Sequence, residues 1–225
     1  MGEAIGQVLS FGIGVALSPI PIIAVVLMLA TPRGGANGPA FLLGWIVGLS
    51  AAGTVILLIS SGASASDDGG PATWTSILKL VLGLLLIALA VKQWRGRPRA
   101  DDTPALPKWM SSIDAFTPPR SVAMGVALSA INPKNLILTA GAAAAIAGIG
   151  GSSGDQAVAL TVFVAVGTLG PGVPVAIFFL MGDRAHKILD GLRTWMAKEN
   201  TVIMAVLCLI IGTKLIGDAI SGLAG

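Results

Sequence analysis

Six long apolar segments make up most of this 225-residue sequence, at about positions 5–30, 39–61, 75–93, 121–148, 157–181 and 200–221. A helix needs about 20 apolar residues to cross the hydrocarbon core of a bilayer. Only 11% of the residues are charged, whereas soluble domains carry about 25%. The sequence therefore predicts an all-α polytopic membrane protein with six transmembrane helices. The first segment is too long for a signal peptide, so we expect it to be retained as a span.

Basic residues are concentrated in alternate loops. Eleven of the 14 lysine and arginine residues follow the first, third and fifth segments, whereas the opposite loops carry Asp67, Asp68 and Asp155 and no basic residue. Because cytoplasmic loops are enriched in lysine and arginine, we expect a plasma-membrane (inner-membrane) protein with both termini outside and the basic loops in the cytoplasm. This topology explains the net charge of +3, and no nucleic acid partner is expected.

One apolar motif occurs twice, 111 positions apart: residues 14–21 read GVALSPIP and residues 125–133 read GVALSAINP. Further parallels pair Gly48 with Gly167 and Gly53 with Gly172. Three spans per half are an odd number, so the two halves must cross the membrane in opposite directions. We therefore predict a 3+3 inverted repeat. Residues 1–94 form the first half, 95–120 a basic cytoplasmic linker with an amphipathic segment, and 121–225 the second half.

Proline interrupts three of the six segments. Proline has no N–H and leaves the carbonyl four residues earlier without its helical donor. Pro19 and Pro21 lie in the first segment, Pro133 in the fourth, and Pro171 and Pro174 in the fifth. An unsatisfied carbonyl in hydrocarbon costs several kcal/mol. We therefore predict that helices 1, 4 and 5 are broken and that the breaks surround a central cavity.

The fourth segment also contains a lysine near its middle, within the run Asn132-Pro133-Lys134-Asn135. No Asp, Glu or His lies at mid-depth in any segment, so a buried ammonium there favours an anionic ligand. Two roles stay open for Lys134: binding a substrate head group, or capping carbonyls freed in the broken first helix. The predicted substrate site comprises Lys134, Asn132, Asn135, Pro133, Ser18, Pro19, Pro21, Pro171 and Pro174.

Other polar residues give weaker indications. Lys214 and Asp218, spaced i, i+4 near the outer end of the sixth segment, predict an ion pair or a place in an outer vestibule. The single histidine, His186, is expected in a loop, and the single cysteine, Cys208, lies in an apolar run. No catalytic or metal-binding cluster is present, so we expect no enzyme activity, metal or cofactor.

Two stretches of the basic loops repeat apolar residues at helical spacing beside lysine or arginine. These residues are Trp109, Ile113 and Phe116 in one stretch, and Ile188, Leu192 and Trp195 in the other. Such a pattern is typical of helices that lie in the membrane interface. They would act either as simple anchors or as a gate or docking surface.

The run Ala130-Ile131-Asn132-Pro133-Lys134-Asn135, the segment 109–118 and Gly217-Asp218 carry a family resemblance. The sequence resembles the sulfolipid- and glycopeptidolipid-addressing proteins of actinobacteria, within the lysine exporter superfamily. That resemblance implies six spans in two inverted halves, movement of large cell-envelope glycolipids across the inner membrane, and cooperation with larger lipid exporters. The sequence departs from the family pattern at Pro19-Ile20-Pro21, where an Asn-Pro is expected.

Three functions are compatible with these features. The first is a transporter or flippase for an anionic or glycosylated envelope lipid, whose partner is the membrane lipid itself. The second is an exporter of amino acids or small polar solutes, which would need a closed hydrophilic cavity. The third is a non-transporting accessory subunit of a lipid-export complex. A homodimer is expected because six short spans make a small unit, and the Gly44–Gly48 GxxxG motif permits close helix packing.

Overall fold

The computed structural model describes residues 2–64, 73–97, 113, 115–149 and 151–224. Within these residues the regular structure is helical. The elements are α1 (Gly2–Ala16), α2 (Pro19–Leu29), α3 (Gly34–Ser64), α4 (Thr73–Arg95), α5 (Pro118–Val126), a π-helical segment (Ala127–Ile131), α6 (Pro133–Ile149), α7 (Ser153–Met181) and α8 (Asp183–Ala224).

Four helices, α3, α4, α7 and α8, are individually long and apolar enough to cross a membrane. Two further spans are present if each of the two bent helix pairs is counted as one span. The α1–α2 pair bends by 52°, and α5 with the π-helical segment bends by 60° against α6. The chain is therefore an all-helical, multi-pass membrane protein with four to six spans, and both bends fall inside predicted segments.

Proline determines where the two bends occur. Ser18 precedes Pro19 and has extended backbone angles (φ −93°, ψ 106°), as expected of a residue before proline. Asn132 precedes Pro133 and leaves the helical region in the same way (φ −59°, ψ 121°). Each proline then lies at the start of the next helix. A backbone N–H at that position has no acceptor within the helix, so proline loses no helical hydrogen bond there. The breaks predicted in helices 1 and 4 are confirmed.

The break predicted in the fifth span is wrong. This span is α7, which runs without interruption through Pro171 and Pro174. Pro171 frees the carbonyl of Gly167. The indole Nε1 of Trp45, on α3, donates a 3.2 Å hydrogen bond to that carbonyl. A side chain from a neighbouring helix thus replaces the missing backbone donor, and the helix continues.

The α2 half-helix lies at the centre of the bundle. Nine of its eleven residues are buried, as expected for a helix that is apolar on every face. It contacts α3, α7 and α8. The α2 half-helix is therefore surrounded by longer helices.

Glycines allow the closest helix contacts. A Cβ atom on Gly125 of α5 would lie 2.7 Å from the backbone nitrogen of Trp45, and one on Gly48 would lie 3.0 Å from the Cα of Val126. Gly44 likewise packs directly against the backbone of Val122. The GxxxG motif of α3 is thus used for packing within one chain, and it gives no support to a dimer.

The predicted interfacial segments are only partly as expected. The stretch from Ile188 to Trp195 belongs to α8, continuous with the sixth span, and His186 lies on this helix rather than in a loop. Ile188 and Trp195 are exposed. In the other stretch, Trp109 lies outside the described residues. Ile113 is 2% exposed and packs against protein, and the location of this stretch in the membrane interface stays a prediction.

Candidate functional site

The two bends meet at mid-span through a pair of side chains. The hydroxyl of Ser18, at the start of α2, donates a 2.9 Å hydrogen bond to Oδ1 of Asn135, in the first turn of α6. Nδ2 of Asn135 donates a 2.9 Å bond to the carbonyl oxygen of Leu128, in the π-helical segment. Asn135 is fully buried. One amide therefore joins three half-helix ends, and we call this region, with Gly14, Asn132 and Lys134, the junction.

Lys134 makes the second connection between the bends. Its Nζ donates a 2.7 Å hydrogen bond to the carbonyl oxygen of Gly14. Because α1 ends at Ala16, its last carbonyls lack helical donors and carry partial negative charge. The ammonium thus lies where a helix end favours a cation, and only 3% of Lys134 is exposed. Of its two predicted roles, the structure shows capping, and substrate binding stays a prediction.

Charge at the junction is balanced by helix ends rather than by acids. No carboxylate of the described residues lies within 4 Å of the Lys134 ammonium. A buried charge without an ionic partner costs several kcal/mol unless polar groups surround it. Among the described residues, the Lys134 ammonium is therefore compensated by the Gly14 carbonyl and the C-terminal end of α1, and an anion would be a stronger partner.

The junction reaches the protein surface on one side. Oδ1 of Asn132 accepts a 3.1 Å hydrogen bond from the backbone nitrogen of Lys134 and so caps α6. Asn132 itself is half-buried and Pro133 is exposed. Ile131 is 70% exposed. The apolar side chain of Ile131 is thus exposed one residue away from the polar groups of the junction.

The predicted proline residues have structural positions near the junction. Pro19, Pro21, Pro171 and Pro174 are buried. Pro171 and Pro174 take no part in the junction's hydrogen bonds, but α7 packs beside it, since a Cβ atom on Gly170 would clash with the carbonyl of Ala16. The structure thus brings Ser18, Asn132, Lys134 and Asn135 together and leaves the α7 prolines at the side.

Lys214 and Asp218 form the predicted ion pair. The Lys214 Nζ lies 2.7 Å from Oδ2 of Asp218, and each side chain is about one third exposed. The same nitrogen lies 5.8 Å from the ring centroid of Phe11 on α1. A role in an outer vestibule stays a prediction. Among the described residues, no three His, Cys, Asp or Glu side chains are grouped so as to hold a metal ion.

Sequence reasoning did not identify Gly14 or Trp45 as partners. A backbone carbonyl belongs to every residue, so the only signal for Gly14 was its position as the first residue of the repeated motif. Trp45 carried no signal beyond its type: a buried indole usually finds a hydrogen-bond acceptor.

The chain matches the family model of the sulfolipid-1-addressing protein over residues 8–221. It belongs to this family. The match covers both bends and the whole junction, and it confirms the resemblance to sulfolipid-addressing proteins found in the sequence. Comparison with curated proteins and with solved structures gives no match. As a family member with four to six apolar spans, the chain is a membrane protein tied to sulfolipid addressing.

Proposed function

We propose that this protein is a lipid transporter of the plasma membrane, which moves an anionic or glycosylated envelope lipid from one leaflet to the other. The observation that carries the proposal is the bond from the buried Lys134 ammonium to the free carbonyl end of α1. That carbonyl is a neutral partner. A phosphate, sulfate or carboxylate carries a full negative charge and would bind the ammonium more strongly than a neutral carbonyl does.

Transport then follows from exchange of partners at the junction. When the α1–α2 and α5–α6 pairs separate, Lys134 leaves Gly14 and Asn135 leaves Ser18. The lipid head group takes the place of the Gly14 carbonyl, and the two amide side chains bind its hydroxyl or acyl oxygens. When the head group departs, the ammonium returns to the helix end. The capping role thus stabilises the empty protein between two transport events.

The position of the junction favours a lipid over a small solute. In the structure Lys134 and Asn135 are buried, while the adjoining Ile131 is 70% exposed. A head group that enters beside Asn132 keeps its acyl chains against this apolar surface. A closed hydrophilic cavity, which export of amino acids requires, would instead be ringed by polar side chains.

The packing supports an inverted repeat as the basis of alternating access. A Cβ atom on Gly48 of α3 would contact Val126, and one on Gly167 of α7 would contact Val15. Val15 and Val126 hold equivalent places in the repeated motif, and Gly48 and Gly167 are the corresponding glycines. Each half therefore places its glycine against the other half's motif, as two halves related by an axis in the membrane plane would do. Basic loops on the cytoplasmic side complete the proposed topology.

Reconstituted vesicles test this proposal. The purified protein is placed in vesicles that contain a fluorescent phosphatidylglycerol, and a membrane-impermeant quencher reports its movement between leaflets. We expect Lys134→Met to slow movement about tenfold or more, since a charge-assisted bond contributes about 1.5–3 kcal/mol. Lys198→Met, at an exposed position of α8, is the matched control and should keep the wild-type rate.

Each alternative function has its own result in this assay. A wild-type rate equal to that of protein-free vesicles would indicate a non-transporting accessory subunit. Movement of radiolabelled lysine without movement of lipid would indicate a small-solute exporter. Equal lipid rates for wild type and a folded Lys134→Met would remove Lys134 from the mechanism. Circular dichroism and gel filtration establish that the variant is folded.

A further inference from the structure

A second feature of the surface lies away from the junction, between α4 and α8. The two helices pack closely at Gly83 and Gly212: a Cβ atom on Gly212 would lie 3.0 Å from the carbonyl oxygen of Gly83. Seven residues further along α4, and seven back along α8, Ala90 and Ala205 line the same cavity. A shift of seven residues in opposite directions shows that the helices are antiparallel.

Beyond the glycines the helices enclose a cavity of about 310 Å³. We call it the α4–α8 groove. Its lining residues are Ala90, Val91, Trp94, Arg95, Ala205, Val206 and Leu209. The two alanines are each 5% exposed and form the floor, whereas Val91, Val206 and Leu209 are 44–50% exposed and form the walls. The groove is thus apolar, open at the side of the bundle, and shaped by two small residues.

One end of the groove is basic. Arg95 is exposed in the last turn of α4, beside the half-exposed Trp94. The guanidinium of Arg97 lies 4.2 Å from the centroid of the Trp94 ring. Tryptophan is enriched at the membrane interface, and basic residues mark the cytoplasmic side. The apolar groove therefore runs from the hydrocarbon region to a cationic rim at the level of the lipid head groups.

We propose that the α4–α8 groove binds one acyl chain of an anionic phospholipid of the cytoplasmic leaflet, with the lipid phosphate on Arg95. The chain fits because the floor and walls are hydrocarbon, and the phosphate fits because arginine binds phosphate in bidentate geometry. This site is separate from the junction and holds whether or not the protein moves lipid.

A second copy of the chain is a poorer occupant of the groove. In a two-fold dimer whose axis is normal to the membrane, equal depths of the two copies meet. Dimerisation through this groove would bring Arg95 and Arg97 of each copy beside those of the other. Opposed like charges weaken such an interface, whereas an anionic lipid neutralises the rim.

Native mass spectrometry of the purified protein in detergent tests the proposal, with phosphatidylglycerol or phosphatidylcholine added as the probe. We expect one phosphatidylglycerol to be retained about fivefold more strongly than phosphatidylcholine, since a basic residue near the membrane surface contributes about 1 kcal/mol. Arg95→Gln should reduce retention to that of phosphatidylcholine. Val206→Trp, which fills the groove from its wall, should abolish retention of both lipids.

Two variants serve as matched controls. Ile220→Trp adds the same ring at another exposed position of α8, about 21 Å along the helix from Val206. Arg184→Gln removes an exposed charge of the same kind as Arg95, about 33 Å from Val206 along α8. Both should bind lipid as wild type does. Because Arg95 is exposed, Arg95→Gln tests the proposal even if Val206→Trp fails to fold.

Two results would overturn the proposal. One is undiminished phosphatidylglycerol binding in folded Arg95→Gln and Val206→Trp. The other is a wild-type dimer that retains no lipid and is converted to a monomer by Val206→Trp, which would make the groove a protein interface. Neither result bears on Lys134, so failure here and failure of the transport proposal are distinguishable.

Discussion

Ser18 and Asn135 are 117 residues apart in the sequence, yet the hydroxyl of one donates a 2.9 Å hydrogen bond to the side-chain oxygen of the other. Each residue lies at the start of a half-helix created by proline. Their bond and the bond from Lys134 to Gly14 join the two bent pairs at their bends, where the helical hydrogen bonds are interrupted. The junction is therefore the structural link between the two halves of the chain, and the proposed transport requires them to part there.

The Ser18–Asn135 bond should be measurable as a coupling energy. Ser18→Ala and Asn135→Ala each remove one partner of a buried bond, and a double-mutant cycle isolates the pairwise contribution. We expect a coupling of about 1 kcal/mol, measured by unfolding in detergent. Ser221→Ala, at an exposed position of α8, replaces Ser18→Ala in the control cycle and should give additive effects. Additivity in the first cycle as well would mean that the bond contributes nothing to stability.

Trp45 should be required because α7 contains Pro171. Trp45→Phe keeps the ring but removes the donor to the Gly167 carbonyl, and we expect it to lower the free energy of unfolding by about 1–3 kcal/mol. Adding Pro171→Ala restores a backbone N–H that can reach the same carbonyl, so the double variant should recover most of the loss.

Pro174→Ala in the Trp45→Phe background is the matched control, because it restores a donor to Gly170 instead. It gains the same helix propensity as Pro171→Ala but supplies nothing to Gly167. Thermal unfolding of the three variants compares the effects. Equal recovery with either alanine would show that propensity, and not the Gly167 carbonyl, explains the rescue.

The spans and the two confirmed breaks were predictable because hydropathy and proline act locally. The fifth helix shows the limit of that reasoning. Its prolines do free carbonyls, but whether a helix then bends depends on what packs against it, and the sequence does not show that Trp45 lies beside Gly167. Pro171 correctly indicated that the carbonyl of Gly167 lacks its backbone donor. The hydrogen bond from Trp45, which belongs to another helix, satisfies that carbonyl, and α7 stays continuous.

The junction was predictable in its residues but not in its bonds. The sequence indicated the site through a lysine at mid-span beside two asparagines and a proline. The partner of Lys134 is a main-chain oxygen, which no side-chain pattern reveals, and Ser18 and Asn135 are 117 residues apart in the sequence. For the same reason the GxxxG motif of α3 indicated close packing but not its partner, which is α5 in the same chain.

Close packing of α3 on α5 predicts a strong effect at Gly125. A Cβ atom there would lie 2.7 Å from the Trp45 nitrogen, so Gly125→Ala must push the two backbones apart. We expect a loss of about 1–3 kcal/mol of stability. Gly217→Ala is the control, because nothing lies within 4 Å of its Cβ position and alanine favours helix by up to about 1 kcal/mol. Similar melting temperatures for the two variants would contradict the packing described here.

The claim that the halves must separate at the junction is tested most directly by locking it. Ser18→Cys and Asn135→Cys, in a Cys208→Ala background, place two thiols where the hydrogen-bonded side chains now meet; a disulfide needs Cβ atoms roughly 3.5–4.5 Å apart. The measurement is lipid movement in vesicles before and after reduction, with Ser18→Cys alone as control. The account predicts that the oxidised double variant moves no more lipid than protein-free vesicles, and that reduction restores movement to the rate of a double variant that was never oxidised. Equal rates for the oxidised and reduced forms of the cross-linked protein would contradict it.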